Sequence, residues 1–171
     1  LFIDVYWRLL NLYTAAGLDI KTARLNKRLF SNTQRAQALA AQIQVDVQQA
    51  ADPATLAPAR ALLGTLLLAT NQPREGLQLL EQALAAQPSG DQAGSLAMLN
   101  YLGIGYQALG QPQRARAYFE RALPLARAAG SAAMEIIVLN NLGLTYRSEA
   151  QFGRALDLFQ QALALARQAG D

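Results

Sequence analysis

The side chains that most often carry out chemistry are scarce in this sequence. The 171-residue chain contains no Cys and no His. That excludes disulfides, thiol nucleophiles, Cys/His zinc sites and the commonest general base. The acidic residues stand singly, and no two carboxylates have a spacing suited to paired acid–base work. No enzyme activity, metal or cofactor is therefore expected. The run Gly103-Ile104-Gly105-Tyr106-Gln107-Ala108 fits G-x-G-x-x-A literally. A dinucleotide site needs a strand before this motif and a helix that starts on it. Here the glycines fall inside a predicted helix and Gly143 repeats the first of them, so close helix packing is the reading.

The elements that would hold any site are helices. Ala, Leu, Gln and Arg dominate and all favour helix, whereas β-branched residues, which favour sheet, are few. Apolar residues make up 52% of the chain and charged ones 16%, so a sizeable core can be buried and few charges need accommodating. The net charge of +3 is concentrated in residues 1–50, with six basic and three acidic residues. No apolar run reaches the ~18–20 residues of a membrane span, and no signal peptide is visible. No membrane association is expected.

The strongest signal is an internal repeat. Leu99-Asn100-Tyr101-Leu102-Gly103-Ile104-Gly105-Tyr106 returns 40 residues later as Leu139-Asn140-Asn141-Leu142-Gly143-Leu144-Thr145-Tyr146. The register continues: Ala115, Phe119, Ala122 and Leu123 match Ala155, Phe159, Ala162 and Leu163, and Ala129-Gly130 matches Ala169-Gly170. A weaker copy lies 39 residues upstream, where Leu63-Gly64 aligns with Leu102-Gly103, and Gly76, Leu80, Ala83 and Leu84 follow. Within one unit, Leu99, Leu102, Gly103 and Tyr106 share a helix face, and Ala115, Phe119, Ala122 and Leu123 share a second. Gly110-Gln111-Pro112 reads as the turn between two helices, with Pro starting the second. Gly103 and Ala115 are small where the helices approach, and Tyr106 and Phe119 are large where the gap must be filled. Ala129-Gly130 closes the second helix with a favourable C-terminal cap.

These residues resemble the tetratricopeptide repeat, W-x2-L-G-x2-Y…A-x3-F…P. Leu99 and Leu139 replace the Trp, and Arg127 and Arg167 stand where the final Pro is expected, although Pro88 fits in the weaker copy. The 40-residue period exceeds the usual period of about 34. It is similar to the long-helix variant of kinesin light chains and of many bacterial signalling proteins. The resemblance implies an all-α fold of antiparallel helix hairpins stacked in a right-handed superhelix. Three repeats are expected, at 58–90, 96–130 and 136–170, within an array over 53–171.

It also implies that first helices line a concave groove and second helices form the outer wall. The groove candidates are Thr65, Leu68, Asn100, Tyr101, Ile104, Gln107, Asn140, Asn141, Leu144 and Arg147. An Asn amide can donate to and accept from an extended peptide backbone at once, so Asn100 and Asn140 would form a short ladder. The alternative is that these amides serve neighbouring backbone groups. A carboxylate clamp is not expected, because Arg147 is the lone cation on that face. The outer-wall arginines Arg114, Arg116, Arg121, Arg127, Arg154 and Arg167 read as solvated, with Glu120 and Asp157 as weak partners.

Residues 1–52 form an N-terminal helical segment: an apolar helix over Leu1–Ala16 ending at Gly17, then helix from Lys21 to about Ala50. Trp7, Leu10 and Ala23 admit a degenerate repeat, and Asp52-Pro53 marks the boundary. Lys21, Arg24, Arg28 and Arg35 share a face that could track phosphates, but a solvated helix looks the same, so nucleic acid is a remote reading. The leading expectation is a protein- or peptide-binding scaffold inside a larger bacterial regulatory protein, located in the cytoplasm. The rival is self-association into a homodimer through Trp7 or Leu163. Leu156, Phe159, Leu163 and Leu165 leave the last hairpin apolar, so either further repeats or another chain is expected to meet it.

Overall fold

The structure is a computed structural model and describes residues 57–69, 71–87 and 90–170. The readings made for residues 1–52, including Trp7 and the basic face around Arg28, lie outside the described residues. All secondary structure among the described residues is helical: α1 (Ala57–Ala69), α2 (Pro73–Ala86), α3 (Gln92–Ala108), α4 (Pro112–Ala128), α5 (Ala132–Ser148) and α6 (Phe152–Ala169). None of these helices is long and apolar enough to cross a membrane. The residues divide into two compact units between Pro88 and Ser89. The first unit contains the hairpin α1–α2, and the second contains the hairpins α3–α4 and α5–α6.

Several helix ends carry a local chemical signal. Pro73 and Pro112 open α2 and α4, positions where the missing N–H costs nothing. The Asp91 carboxylate accepts a bond of 2.9 Å from the Gly94 N–H, capping α3. Ser131, 40 residues on, does the same for α5 through the Met134 N–H at 3.4 Å. The sequence reading did not use these caps, and the first helices begin several residues ahead of Leu96 and Ile136. The signal was available, because a Ser or Asp directly before a helical pattern is a start mark.

The turns after α1, α3, α4 and α5 share one design. Gln111 N–H donates to Tyr106 C=O at 2.9 Å and Gly110 N–H to Gln107 C=O at 2.9 Å, with Gly110 at φ +68°. This is the Schellman closure of a helix end. The same pair of bonds closes α1, α4 and α5, with Asn71, Gly130 and Ala150 as the left-handed residue. Ala150 takes φ +59° without the freedom of glycine, so that turn is held by its surroundings.

The core of each hairpin is a small residue facing a large one. In α3–α4, the Phe119 ring lies directly on Gly103, in the space a Cβ would take. Phe159 occupies the same place on Gly143. Phe119, Ala115, Ala122 and Ala126 have no solvent exposure. In α1–α2 the large residue is Leu80, and the helices come close enough that a Cβ on Gly76 would sit 2.7 Å from the Gly64 carbonyl oxygen.

The second hairpin pair is tied together by polar contacts as well as by packing. Arg116 on α4 donates to Glu149, in the turn after α5, at 2.6 Å, and the Glu149 side chain is 7% exposed. Arg127 near the end of α4 pairs with Glu135 in the first turn of α5 at 2.7 Å. Arg116 was expected to be solvated. It is instead a clamp between hairpins, because a turn residue distant in sequence comes under it. Three further outer-wall arginines lie against aromatic rings: Arg114 over Tyr106, Arg121 over Tyr118 and Arg154 over Tyr146, each within 5.6 Å of the ring centre. Such contacts contribute roughly 0.5–1 kcal/mol at exposed sites. Tyr146 also donates to Glu120 at 3.0 Å. Burial first, then this bond and the Glu120 charge, raise its phenol above the ordinary 10.0.

Candidate interaction surface on the first helices

In the second unit, α3 and α5 lie side by side, and their contact is made by the amide-bearing residues. Asn141 Nδ2 donates to Asn100 Oδ1 at 3.0 Å. Gln107 Nε2 donates to the Asn141 backbone carbonyl at 3.1 Å and to Thr145 Oγ1 at 2.6 Å. Thr145 in turn donates to the Asn141 carbonyl at 2.8 Å. Asn100 is 6% exposed and Thr145 fully buried. Asn100, Gln107 and Asn141 therefore form a network that joins one repeat to the next. This corrects the expected ladder of Asn100 with Asn140: Asn100 points under α5, and Asn140 is exposed.

The physical reason is the stacking itself. Asn100 and Asn140 occupy the same position in their repeats, as do Gln107 and Arg147. The first member of each pair has α5 packed over it. The second member faces away from α3 and is exposed. A buried amide must find partners or cost about 1–3 kcal/mol, so the covered pair is bonded internally. The consequence is an asymmetry in stability. Asn100→Ala strands the Asn141 amide and is expected to cost about 1 kcal/mol or more. Asn140→Ala is expected to stay within about 0.5 kcal/mol of the parent. Urea unfolding of the two variants checks this, and equal midpoints would contradict the network.

What α3 and α5 leave open is mainly apolar. Tyr101 is 38% exposed, Ile104 36%, Leu144 38% and Ile137 42%. Ile104 and Leu144 are repeat equivalents, and Ile137 lies two turns before Leu144 on the same face. Ile137 was missed from sequence, although its i, i+7 spacing to Leu144 was a signal. Arg147 is exposed near the far end of α5. No carboxylate lies among these residues.

The two remaining groove candidates belong to the first unit. Thr65 Oγ1 donates to the Leu62 carbonyl of its own helix at 2.7 Å. Leu68 is half-buried and packs beside Gly76 of α2. Among the described residues, no cluster of three metal-ligating side chains exists. Leu163 lies on α6, half exposed, in a row with Phe152 and Leu156.

Comparison with known proteins agrees with the fold of helix-hairpin repeats. The tetratricopeptide repeat profile matches residues 94–168. The fold is similar to the crystal structure of BtubC (BKLC) from P. vanneervenii, with a TM-score of 0.61 and 21% identity, covering 94% of this chain and 74% of that one. It is also similar to the nearly identical TPR-like repeats of the kinesin light chain type from Podosopora anserina. One such structure has a TM-score of 0.59 and 21% identity, covering 96% of this chain and 88% of that one. A variant of it has a TM-score of 0.61 and 19% identity, covering 97% and 88%. No curated protein sequence matches the chain.

Proposed function

Because residues 94–168 belong to the tetratricopeptide repeat family, whose members are generally protein-interaction modules, we propose that this chain holds a peptide segment or partner domain against the open face of α3 and α5. The reading rests on one observation: Ile104 on α3 and its repeat equivalent Leu144 on α5, with Ile137 two turns before Leu144, are exposed large apolar side chains on two adjacent first helices. Scattered exposed apolar residues need no explanation, but a contiguous set on one face suits docking. The chemistry favours a partner with apolar anchors. Arg147 and Asn140 sit at the edge of the face, where they suit an acidic or amide group of the partner. The carboxylate clamp remains unexpected, since it would need several cations. In this reading the chain is a scaffold with no reaction of its own, part of a larger bacterial regulatory protein in the cytoplasm.

A peptide array probed with the full chain tests the proposal. Peptides with two or three apolar residues should bind, and the double variant Ile104→Glu/Leu144→Glu should lose at least about tenfold in affinity, the equivalent of 1.4 kcal/mol. Both side chains are exposed, so the variant should keep its helical circular dichroism. Equal binding by parent and variant would place the partner elsewhere.

A further inference from the structure

The turns of this fold are not equally well specified by their own residues. Asn71 and Pro73 make the turn after α1, and Gly110 and Pro112 the turn after α3. Gly130 and the capping Ser131 make the turn after α4, and Gly90 and the capping Asp91 stand before α3. Each has a residue suited to the left-handed conformation, and a proline or a side-chain cap that starts the next helix. The segment Ser148-Glu149-Ala150-Gln151-Phe152, between α5 and α6, has neither. Ala150 takes φ +59°, and Gln151 precedes α6 without a side-chain capping bond. Glu, Ala and Gln are instead among the residues that most favour helix. By its own preference this segment would carry α5 straight on into α6.

The backbone bonds of the turn do not oppose this. Ala150 N–H donates to Arg147 C=O at 3.1 Å, and Gln151 N–H to Tyr146 C=O at 2.9 Å. A continuing helix bonds the same four groups with the partners exchanged, because each N–H then reaches the carbonyl four residues back. It also gives partners to the first N–H groups of α6, which the turn leaves without any inside the helix. What holds the bend comes from α4. Arg116 donates to one Glu149 oxygen at 2.6 Å, and Gln151 donates to the same oxygen at 3.1 Å. The other Glu149 oxygen is buried with no hydrogen-bond partner. The clamp thus works through a half-satisfied carboxylate, which is costly to keep buried.

We propose that the α5–α6 turn is a hinge: it opens into one helix running from α5 into α6, and α6 is exchanged between two copies of the chain. In the exchanged pair, Phe159 of each copy lies on Gly143 of the other, as it lies on Gly143 of its own copy in the hairpin. The packing of α6 is kept and only the turn changes, which is why exchange of an identical element is a low-cost route to a dimer. Opening relieves the left-handed Ala150 and frees Glu149, at the loss of the Arg116 bond. The helices α3, α4 and α5 of each copy stay as they are, so the pair carries two α3/α5 faces.

The test is a distance within one copy. The chain has no Cys, so spin labels can be placed on Asn140→Cys and Gln161→Cys, both exposed positions. Dilution with unlabelled chain restricts the reading to labels in the same copy. In the hairpin the two positions lie on neighbouring helices, whose axes are about 8–10 Å apart. Along one continuous helix they are 21 residues apart, a separation of about 30 Å. The full 171-residue chain is held at high concentration near its unfolding midpoint, cooled, and fractionated by size. A dimer with the long distance is expected beside a monomer with the short one. Ala150→Gly should lower the yield of dimer at least about tenfold, because glycine is at ease in the left-handed turn and poor in a helix. It should not lower the thermal midpoint of the monomer, which separates lost exchange from lost folding. Arg116→Ala should raise the yield, because the bend loses its clamp. No dimer from the parent, a dimer that keeps the short distance, or equal yields from the parent and Ala150→Gly overturns the proposal. So does an Arg116→Ala yield no higher than the parent's. None of these results bears on peptide capture by the α3/α5 face, which its own variants test.

Discussion

Phe119→Ala is expected to destabilise the second unit by about 3–5 kcal/mol. Phe119 has no solvent exposure, and its ring fills the space that Gly103 leaves by lacking a Cβ. Removing the ring opens a cavity whose glycine wall has no side chain to move into it. The helices cannot simply close, because Arg116 on α4 is held by Glu149 and Asn100 on α3 by Asn141. The repeat supplies an internal control. Phe159 sits on Gly143 in the same way, but it is only half-buried. Its removal takes less surface out of the core, so Phe159→Ala should cost roughly half as much. Urea unfolding of the two variants at matched conditions measures the difference. Equal losses would mean that the two hairpins are not packed as described.

Gly76→Ala is expected to destabilise the first unit by about 2 kcal/mol, against the direction that helix propensity gives. In an exposed helix this change would gain about 1 kcal/mol. The two later hairpins carry Ala115 and Ala155 at the matching position, so from the repeat alone the change looks like a return to pattern. The first hairpin differs because Leu80 stands where Phe119 stands in the next. With a shorter side chain between them, α1 and α2 approach until backbone meets backbone. A Cβ on Gly76 would lie 2.7 Å from the Gly64 carbonyl oxygen and 3.1 Å from the Leu68 nitrogen. Neither atom can rotate away, so the helices must separate, and overpacking of this kind costs about 1–3 kcal/mol before any propensity gain. If Gly76→Ala instead raises the unfolding midpoint, the close approach is not tight. Adding Leu80→Phe to the parent should be poorly tolerated for the same reason, since the ring would force apart a pair closed on leucine.

The two variants show where reading from sequence stops. The hairpins, their turns and the small-against-large pairing of Gly103 with Phe119 follow from spacing, because a helix places residues three and four apart on one face. That is local geometry, and any sequence with this period must obey it. Tyr101, Ile104 and Leu144, which the repeat offers as groove candidates, are exposed. It did not distinguish Asn100 from Asn140, which are the same residue at the same position. It left Arg116 among the solvated arginines and passed over Ile137.

The two points on Asn100 and Arg116 have one cause. A repeat makes every unit alike along the chain, whereas a stack makes each unit different according to what lies over it. Asn100 has α5 above it, so its amide is desolvated and must bond to Asn141. Asn140 has no helix above it among the described residues, and stays open. Arg116 finds Glu149 because packing brings the turn after α5 over α4, a pairing between residues 33 apart that no helical period encodes. The sequence by itself therefore determined the helices, the hairpins and the face each helix turns inward. Which amides are consumed holding repeats together, and which remain for a partner, was decided only by tertiary structure, because burial, not residue type, sets whether a polar side chain must be satisfied from within.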